Sequence, residues 1–465
     1  MYHEITKEDI LNIENLVGTL HVIKGASISP DYSKDELGNV RMAPELIVMA
    51  HSKQEISAVL SYANSHLIPV TTRGSGTGLV GGAVAIEKGI VLDTTKMNHI
   101  LELDEANLTL TVEPGVLLMD INEFLEPKGY FYAPDPGEKS ATIGGNIATN
   151  AGGMKAVKYG VTRDWVRSVE ICLANGKIEQ FGRKVVKDSS GYSLKNLIIG
   201  SEGTLGVITE AILKLIPKPK YFISLLVPFA SMEKGIEAVP KIIQSSVAPI
   251  AIEFFERKTL LFAEDFLGKK FPDTSSDAYI LLSFDGQTET QIKETYHEAA
   301  LLCLNVLGAS DVLIVDTEER KDAVWKTRGA FLEAIKASTT EMDECDVVVP
   351  RSEVANFIKY TYELSEKIGI RLPSFGHAGD GNLHIYLCKD DMDDVTFLSK
   401  KHQVFDLMYE KARLSGGLVS GEHGIGYAKK AYLQKQLGDT QMDLMREIKH
   451  AFDPFNILNP HKIID

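Results

Sequence analysis

Between residues 6 and 18 apolar positions recur at helical spacing: Ile10, Ile13, Leu16 and Val17 form one stripe. Thr6 can cap this helix, with Asp9 at the third position after it. Residues 25–43 are polar and irregular, with a Ser-Pro-Asp-Tyr turn at 29–32. The pattern then alternates. Glu45–Ala50 is a short apolar strand, Ser52-Lys-Gln-Glu55 is a capping box for a helix through Asn64, and Ile68–Thr72 is a strand. That strand runs into Arg73-Gly-Ser-Gly-Thr-Gly-Leu-Val-Gly-Gly82, and Ile90–Asp93 is the next strand. Leu108–Glu113 alternates cleanly, Pro114-Gly115 ends it, and Leu117–Leu125 reads as a helix. Val166–Leu173 and Lys177–Phe181 read as a hairpin turning at Asn175-Gly176. A strand ending at Lys214-Leu215 follows, and the prolines at 217 and 219 mark a domain boundary.

From Tyr221 to Tyr409 the strands lengthen and amphipathic helices appear. Strands are expected at Ile223–Pro228, Ile250–Phe255, Ala278–Phe284 and Val347–Val349, and helices at 233–244, 288–306 and 352–368. Then comes Phe375-Gly-His377-Ala-Gly-Asp-Gly-Asn382-Leu-His384, two histidines separated by two glycines, the second of them in an Asp-Gly step. Ile385-Tyr386-Leu387 reads as a strand, so His384 should open it while His377 sits on a loop folding back beside it. Ser420-Gly-Glu422-His423-Gly424 is a second glycine-flanked pair of titratable groups. Three histidines and a carboxylate on two tight turns point to one polar site.

The chain has 465 residues, too many for one ordinary core, which implies two or more domains. Its composition, 44% hydrophobic and 24% charged, is that of a globular protein. A formal charge of −15 argues against nucleic acid as the main partner. Cys172, Cys303, Cys345 and Cys388 are scattered with no Cys-x-x-Cys, so no self-contained iron–sulfur or zinc-ribbon motif exists, and a reducing compartment is expected. The first residues are acidic and polar, unlike a signal peptide. The charge-free run Ser140–Met154 is too rich in Gly, Asn and Thr to span a membrane. A cytoplasmic location is expected.

Five glycines in the ten residues 73–82 let backbone N–H groups converge on an anion, the logic of a phosphate cradle. Gly74, Gly76 and Gly78 imitate part of a dinucleotide fingerprint, but no long capped helix follows directly, which argues against NAD. A second cluster spans Pro134–Gly153, so small and uncharged that little of it could anchor in a core; such a stretch lies against a large ligand or another backbone. A third loop is Gly200-Ser-Glu-Gly203-Thr-Leu-Gly206-Val-Ile.

With these three loops in this order, Pro69–Pro219 resembles the flavin-binding domain of the vanillyl-alcohol oxidase and p-cresol methylhydroxylase superfamily, in the branch that holds the flavin subunit of glycolate oxidase and the D-lactate dehydrogenases. The resemblance covers nearly the whole chain. It implies an α+β protein: a two-subdomain FAD-binding domain of the p-cresol methylhydroxylase type over 1–219, an α+β cap domain with an antiparallel sheet over 220–410, and a C-terminal segment, 411–465, returning to the FAD domain. Arg73, Gly74, Ser75, Gly76, Thr77, Gly78 and Leu79 would hold the FAD pyrophosphate. Pro136, Ser140, Thr142, Gly144, Gly145, Asn146, Thr149, Asn150, Gly152 and Gly153 would line other portions of the cofactor, together with Glu202, Gly203, Gly206, Val207 and Ile208. Many relatives tether the flavin through a His in the first loop; Thr71–Gly82 holds neither His nor Cys, so the FAD should be non-covalent.

Within the cap, Trp325-Lys-Thr-Arg328 is similar to the family's Trp-x-x-Arg, whose arginine takes the substrate carboxylate in a two-pronged pair. His377, His384 and Glu422 match the family's ligands for a divalent metal; zinc, iron(II) and manganese all fit two His and a Glu. His423 is then the expected general base, and Asn382 orients the substrate or a ligand. The closing stretch Phe452-Asp-Pro-Phe-Asn-Ile-Leu-Asn459-Pro460 resembles the family's last motif, with a flavin contact expected from Asn459, but His461 stands where relatives usually have Gly.

The expectation is an FAD-dependent dehydrogenase of a 2-hydroxy acid, D-lactate first and glycolate next. Its electrons would leave to a separate protein such as an electron-transferring flavoprotein or an iron–sulfur protein. An oxidase using oxygen and a non-catalytic electron-relay subunit are the alternatives. An assembly of like subunits is compatible with the sequence.

Overall fold

The helix behind Thr6 forms over Lys7–Val17 in a computed structural model that describes residues 2–37 and 40–465. Its capping box is Thr6 with Asp9, and Ile13 and Val17 are buried. Residues 25–27 and 30–33 are short 3-10 turns, so the irregular stretch has local order; Gly38 and Asn39 within it lie outside the described residues. Contacts divide the chain into two units, Met1–Gly152 with Val161–Lys218 and Glu422–Asp465, and Gly153–Gly160 with Pro219–Gly421.

The first unit holds two sheets. One orders Val22–Lys24, Leu46–Met49, Ile90–Asp93 and Val70–Arg73, the last three parallel and the first antiparallel. Parallel strands need a crossover. The helix Lys53–His66, capped by Ser52, makes the first of them and buries Ile56, Val59, Leu60 and Ala63. The other sheet is antiparallel, in the order Ile100–Asp104, Thr109–Val112, Val207–Lys214, Val166–Cys172, Ile178–Gly182. The end of the chain belongs to this unit: Val70 N–H donates to Ile457 O at 2.8 Å, and Asn459 N–H donates to Val70 O at 2.7 Å. His461 sits at φ +61, a conformation glycine adopts freely, so the turn keeps its shape at the cost of strain.

The second cluster of small residues is not as empty of core anchors as its composition suggests. Thr142 caps a short helix, Ile143–Thr149, in which Ile143 and Ile147, four apart, are fully buried.

The second unit is built on seven antiparallel strands, in the order Leu313–Val315, Tyr221–Phe229, Ala278–Gly286, Ala251–Glu256, Ser374–His377, Asn382–Cys388, Met342–Val348. The expected helices lie at Met232–Gln244, Glu289–Asn305 and Val354–Ile368. An aromatic core of Phe255, Phe271, Tyr279, Phe331 and Phe375 packs with Tyr386 and Leu281. One expectation is corrected: His377 does not sit on a loop but ends a strand, paired with Asn382 across a tight hairpin. Gly376 makes this possible, because a Cβ there would run into Asn382 O of the facing strand.

Candidate active site

The hairpin supplies the fifth and sixth of the seven strands in the second unit's sheet, flanked by the central strand Ala251–Glu256 on one side and the edge strand Met342–Val348 on the other. Glu253 pairs with His377 in register, and Asp346 with His384. Acidic residues two apart on a strand share a face, so Glu344 and Asp346 accompany Asn382 and His384. The result is a row of carboxylates against the imidazoles.

His377 and His384 are both buried, with ring centroids 5.4 Å apart in an edge-on arrangement. Each Nδ1 faces a carboxylate: His377 lies 2.6 Å from Glu253 Oε1, and His384 lies 2.8 Å from Glu344 Oε1. A ring whose Nδ1–H is held by a carboxylate presents Nε2 as its basic nitrogen, the usual support for a metal-ligating histidine. The two residues therefore fit a divalent cation.

Arg328, on the helix Glu318–Gly329, is also buried. Its Nε and Nη2 donate to Glu253 Oε2 at 2.8 and 2.5 Å, and its guanidinium lies 4.6 Å from the centre of the Phe375 ring. Burial works against ionisation of Glu253, but the charges of His377 and Arg328 outweigh it and hold the carboxyl below its usual range. Asn382 donates through Nδ2 to Asp346 Oδ1 at 2.7 Å and Val347 O at 3.0 Å. The other oxygen of the fully buried Asp346 accepts from Ser420 Oγ at 2.8 Å and Gly421 N–H at 3.1 Å. Asp346 thus fastens the hairpin to the turn at Ser420-Gly421.

Gly381 closes the hairpin at φ +91, where a Cβ would collide with Val349 O. Gly381→Ala should cost roughly 2–3 kcal/mol, read as an earlier thermal transition of the second unit, because backbone rather than a flexible side chain must yield.

In the first unit the three glycine loops are laced together. Ser75 Oγ donates to Ser140 O at 2.7 Å, Gly200 N–H to Ile147 O at 3.0 Å, and Glu202 N–H to Ala148 O at 2.8 Å. Asn459 Nδ2 donates to Gly82 O at 3.0 Å and Glu202 O at 2.7 Å, so the chain's last motif ties the first loop to the third. A Cβ at Gly74 would strike Thr142 Oγ1, and one at Gly206 would lie 2.8 Å from Ile171 Cδ1. Gly153 is grouped with the second unit, through the segment 153–160. Arg73 turns its guanidinium onto Lys34 O at 2.8 Å and Asp31 O at 3.1 Å. Glu202 is buried, and its two oxygens accept from Ile425 and Gly426 N–H at 2.7 and 2.8 Å; burial still pushes its carboxyl up to about 7. The loops meet the demands of a large anionic cofactor. The Nδ2 of the buried Asn146 is a donor without a partner among the described residues.

Residues 44–182 match the FAD binding domain family, and residues 218–463 match the C-terminal domain of the FAD linked oxidases. The chain belongs to the FAD-linked oxidase family. It is an FAD-dependent oxidoreductase. It is 47% identical to the D-lactate dehydrogenase of Anaerostipes hadrus, over 99% of this chain and 98% of that one. It is 42% identical to glycolate oxidase subunit GlcD of Bacillus subtilis (93% and 91%), and 32% identical to the D-2-hydroxyglutarate dehydrogenase of Stutzerimonas stutzeri (97% and 97%). In fold it is similar to p-cresol methylhydroxylase with substrate bound, at a TM-score of 0.83 and 18% identity, covering 100% and 99% of the two chains. The α+β architecture expected from the sequence is the one observed. Among the described residues no helix is long and apolar enough to cross a membrane.

Sequence reading missed Glu253, Glu344 and Asp346. The last two carried a signal: acidic residues at alternate positions ahead of Val347-Val348-Val349, where a half-buried strand should hold apolar ones.

Proposed function

We propose that the protein oxidises a 2-hydroxy acid to the 2-oxo acid, with D-lactate the first candidate and glycolate the second. The observation that carries this reading is the buried constellation of His377 and His384 on one sheet with Arg328 on the helix Glu318–Gly329, held by carboxylates. Arg328 would bind the substrate carboxylate; with Nε and Nη2 on Glu253, the substrate is taken on the side of Nη1. His377 and His384, with Glu422 of the second glycine-flanked motif, would hold a divalent cation, which as a Lewis acid would lower the pKa of the substrate hydroxyl. His423 takes the hydroxyl proton and Asn382 orients its neighbours. FAD, held non-covalently by the glycine loops, would supply the two-electron acceptor for the hydride that leaves C2 of the substrate.

Electrons must then leave the flavin. All four cysteines are buried and scattered, so the next carrier is a separate protein, for which an electron-transferring flavoprotein is the proposal and an iron–sulfur protein the alternative. A chain isolated alone with full turnover on a quinone would oppose the flavoprotein partner.

Anaerobic bleaching of the flavin by each of a set of hydroxy acids, followed by elemental analysis, tests the whole reading. D-Lactate or glycolate should bleach it, and one divalent ion should accompany each flavin. A spectrum unchanged by either enantiomer of lactate and by glycolate would leave an electron-relay subunit instead. Rapid reoxidation by air would make the enzyme an oxidase.

A further inference from the structure

Glu253 has a side chain that is wholly inaccessible to solvent, and both of its oxygens are committed. Oε1 lies 2.6 Å from His377 Nδ1, and Oε2 accepts from Arg328 Nε and Nη2 at 2.8 and 2.5 Å. The two partners come from different elements: His377 from the neighbouring strand, Arg328 from a helix seventy-five residues on in sequence. A buried charge is retained only where partners compensate it, and here the partners are groups assigned to two different tasks.

We propose that Glu253 is a positioning residue that couples the two halves of the substrate clamp, the arginine for the carboxylate and the imidazole on the metal side. This rests on the 2-hydroxy-acid reading above. Through Oε1 it fixes the His377 ring, with the proton on Nδ1 and Nε2 turned to act as ligand. Through Oε2 it fixes the plane of the Arg328 fork, so the substrate carboxylate is met by a guanidinium that cannot swing. One carboxylate therefore sets the separation between the two groups. The hydroxyl and carboxylate of a 2-hydroxy acid sit on adjacent carbons, so their separation is fixed, and a clamp for both ends needs a fixed spacing too.

The test uses the FAD-loaded enzyme and its Glu253→Gln and Glu253→Asp variants. Flavin content and thermal unfolding identify folded protein. Zinc per flavin after equilibration with limiting zinc, and the dependence of anaerobic flavin reduction on D-lactate concentration, are the two readouts. Glu253→Gln should lose zinc affinity by roughly 10–100-fold, the usual effect of removing a ligand's outer partner. It should also raise KM by at least tenfold, with FAD retained. Glu253→Asp keeps the charge but is one methylene too short to reach both partners, so it should recover one readout and not the other. A residue that only supports the fold would lower the active fraction and leave the KM of the folded remainder alone.

Folded Glu253→Gln with zinc affinity and KM within about twofold of wild type would overturn the proposal. If that variant does not fold, Glu253→Gln combined with Arg328→Met removes both charges of the buried pair; wild-type zinc retention there overturns the proposal equally. Wild-type protein that takes up no zinc and is bleached by no hydroxy acid would sink the underlying reading and this inference with it. Wild type that does both, beside a variant that does both as well, sinks this inference alone.

Discussion

Replacing His423 with alanine should slow flavin reduction by D-lactate about 10²–10⁴-fold while FAD stays bound, the range expected for removing a general base. Retention of FAD follows from how the turn is anchored. His423 is partly buried, and the next residue, Gly424, sits at φ +88 directly over Glu202. Glu202 accepts from Ile425 and Gly426 N–H, and Asn459 binds Glu202 O from the other side. None of these contacts uses the imidazole, so the glycine loops of the first unit keep their lacing in the variant. Stopped-flow absorbance under anaerobic conditions gives the rate, and the flavin spectrum of the protein fraction gives the occupancy. The residual rate should climb with pH, since a base from solution must then take the proton. Reduction at near wild-type rate would move the base role to another group.

The parts of the molecule that could be read from sequence are those whose residue types answer to local demands. Thr6 with Asp9, Ser52 ahead of its helix and Asn175-Gly176 all act within a few residues, and each forms where expected. Glycines in the first loop state a backbone requirement that no distant contact can alter. The hairpin escapes sequence reading for the opposite reason. Gly376 looks like a loop residue until its pairing with Leu383 is known, when its missing Cβ becomes a requirement of the facing strand. Likewise Ile143 and Ile147 were hidden among glycines, although Thr142 and a spacing of four were there to be read as a capped turn of helix. The site divides in the same way. The histidines announce themselves by type and by their glycine neighbours. Glu253 does not, because its partners lie 75 and 124 residues away and nothing in the flanking Ala251–Phe255 distinguishes a carboxylate with a task from a strand-edge charge. Only the sheet order brings it beside His377.

Arg328→Met should destabilise the resting enzyme by about 3–5 kcal/mol, before any substrate is present, because it leaves a buried carboxylate without its cation. A guanidinium that served only the substrate would be dispensable in the empty protein. This one donates twice to Glu253, whose side chain is fully enclosed, while its own is nine-tenths so. Thermal unfolding should show the loss in the transition of the second unit, with FAD binding by the first unit little changed. The pH dependence has a definite sign. In the wild type the Glu253 carboxyl is held below its usual value, so its contribution to stability is present above the unfolded carboxylate range and is lost as pH falls through the folded value. In the variant the arginine's charge is gone and burial dominates, which favours the neutral acid. The deficit should therefore be largest near neutral pH and shrink on acidification, first as pH falls through the variant's raised folded value and then further below about 4.3, the ordinary glutamate value. Arg328→Lys keeps a charge but not the fork, so it should recover part of the stability and little of the substrate affinity. Equal melting of wild type and Arg328→Met at neutral pH would mean that Glu253 is compensated by His377 alone, and the fork would then be free for substrate from both edges.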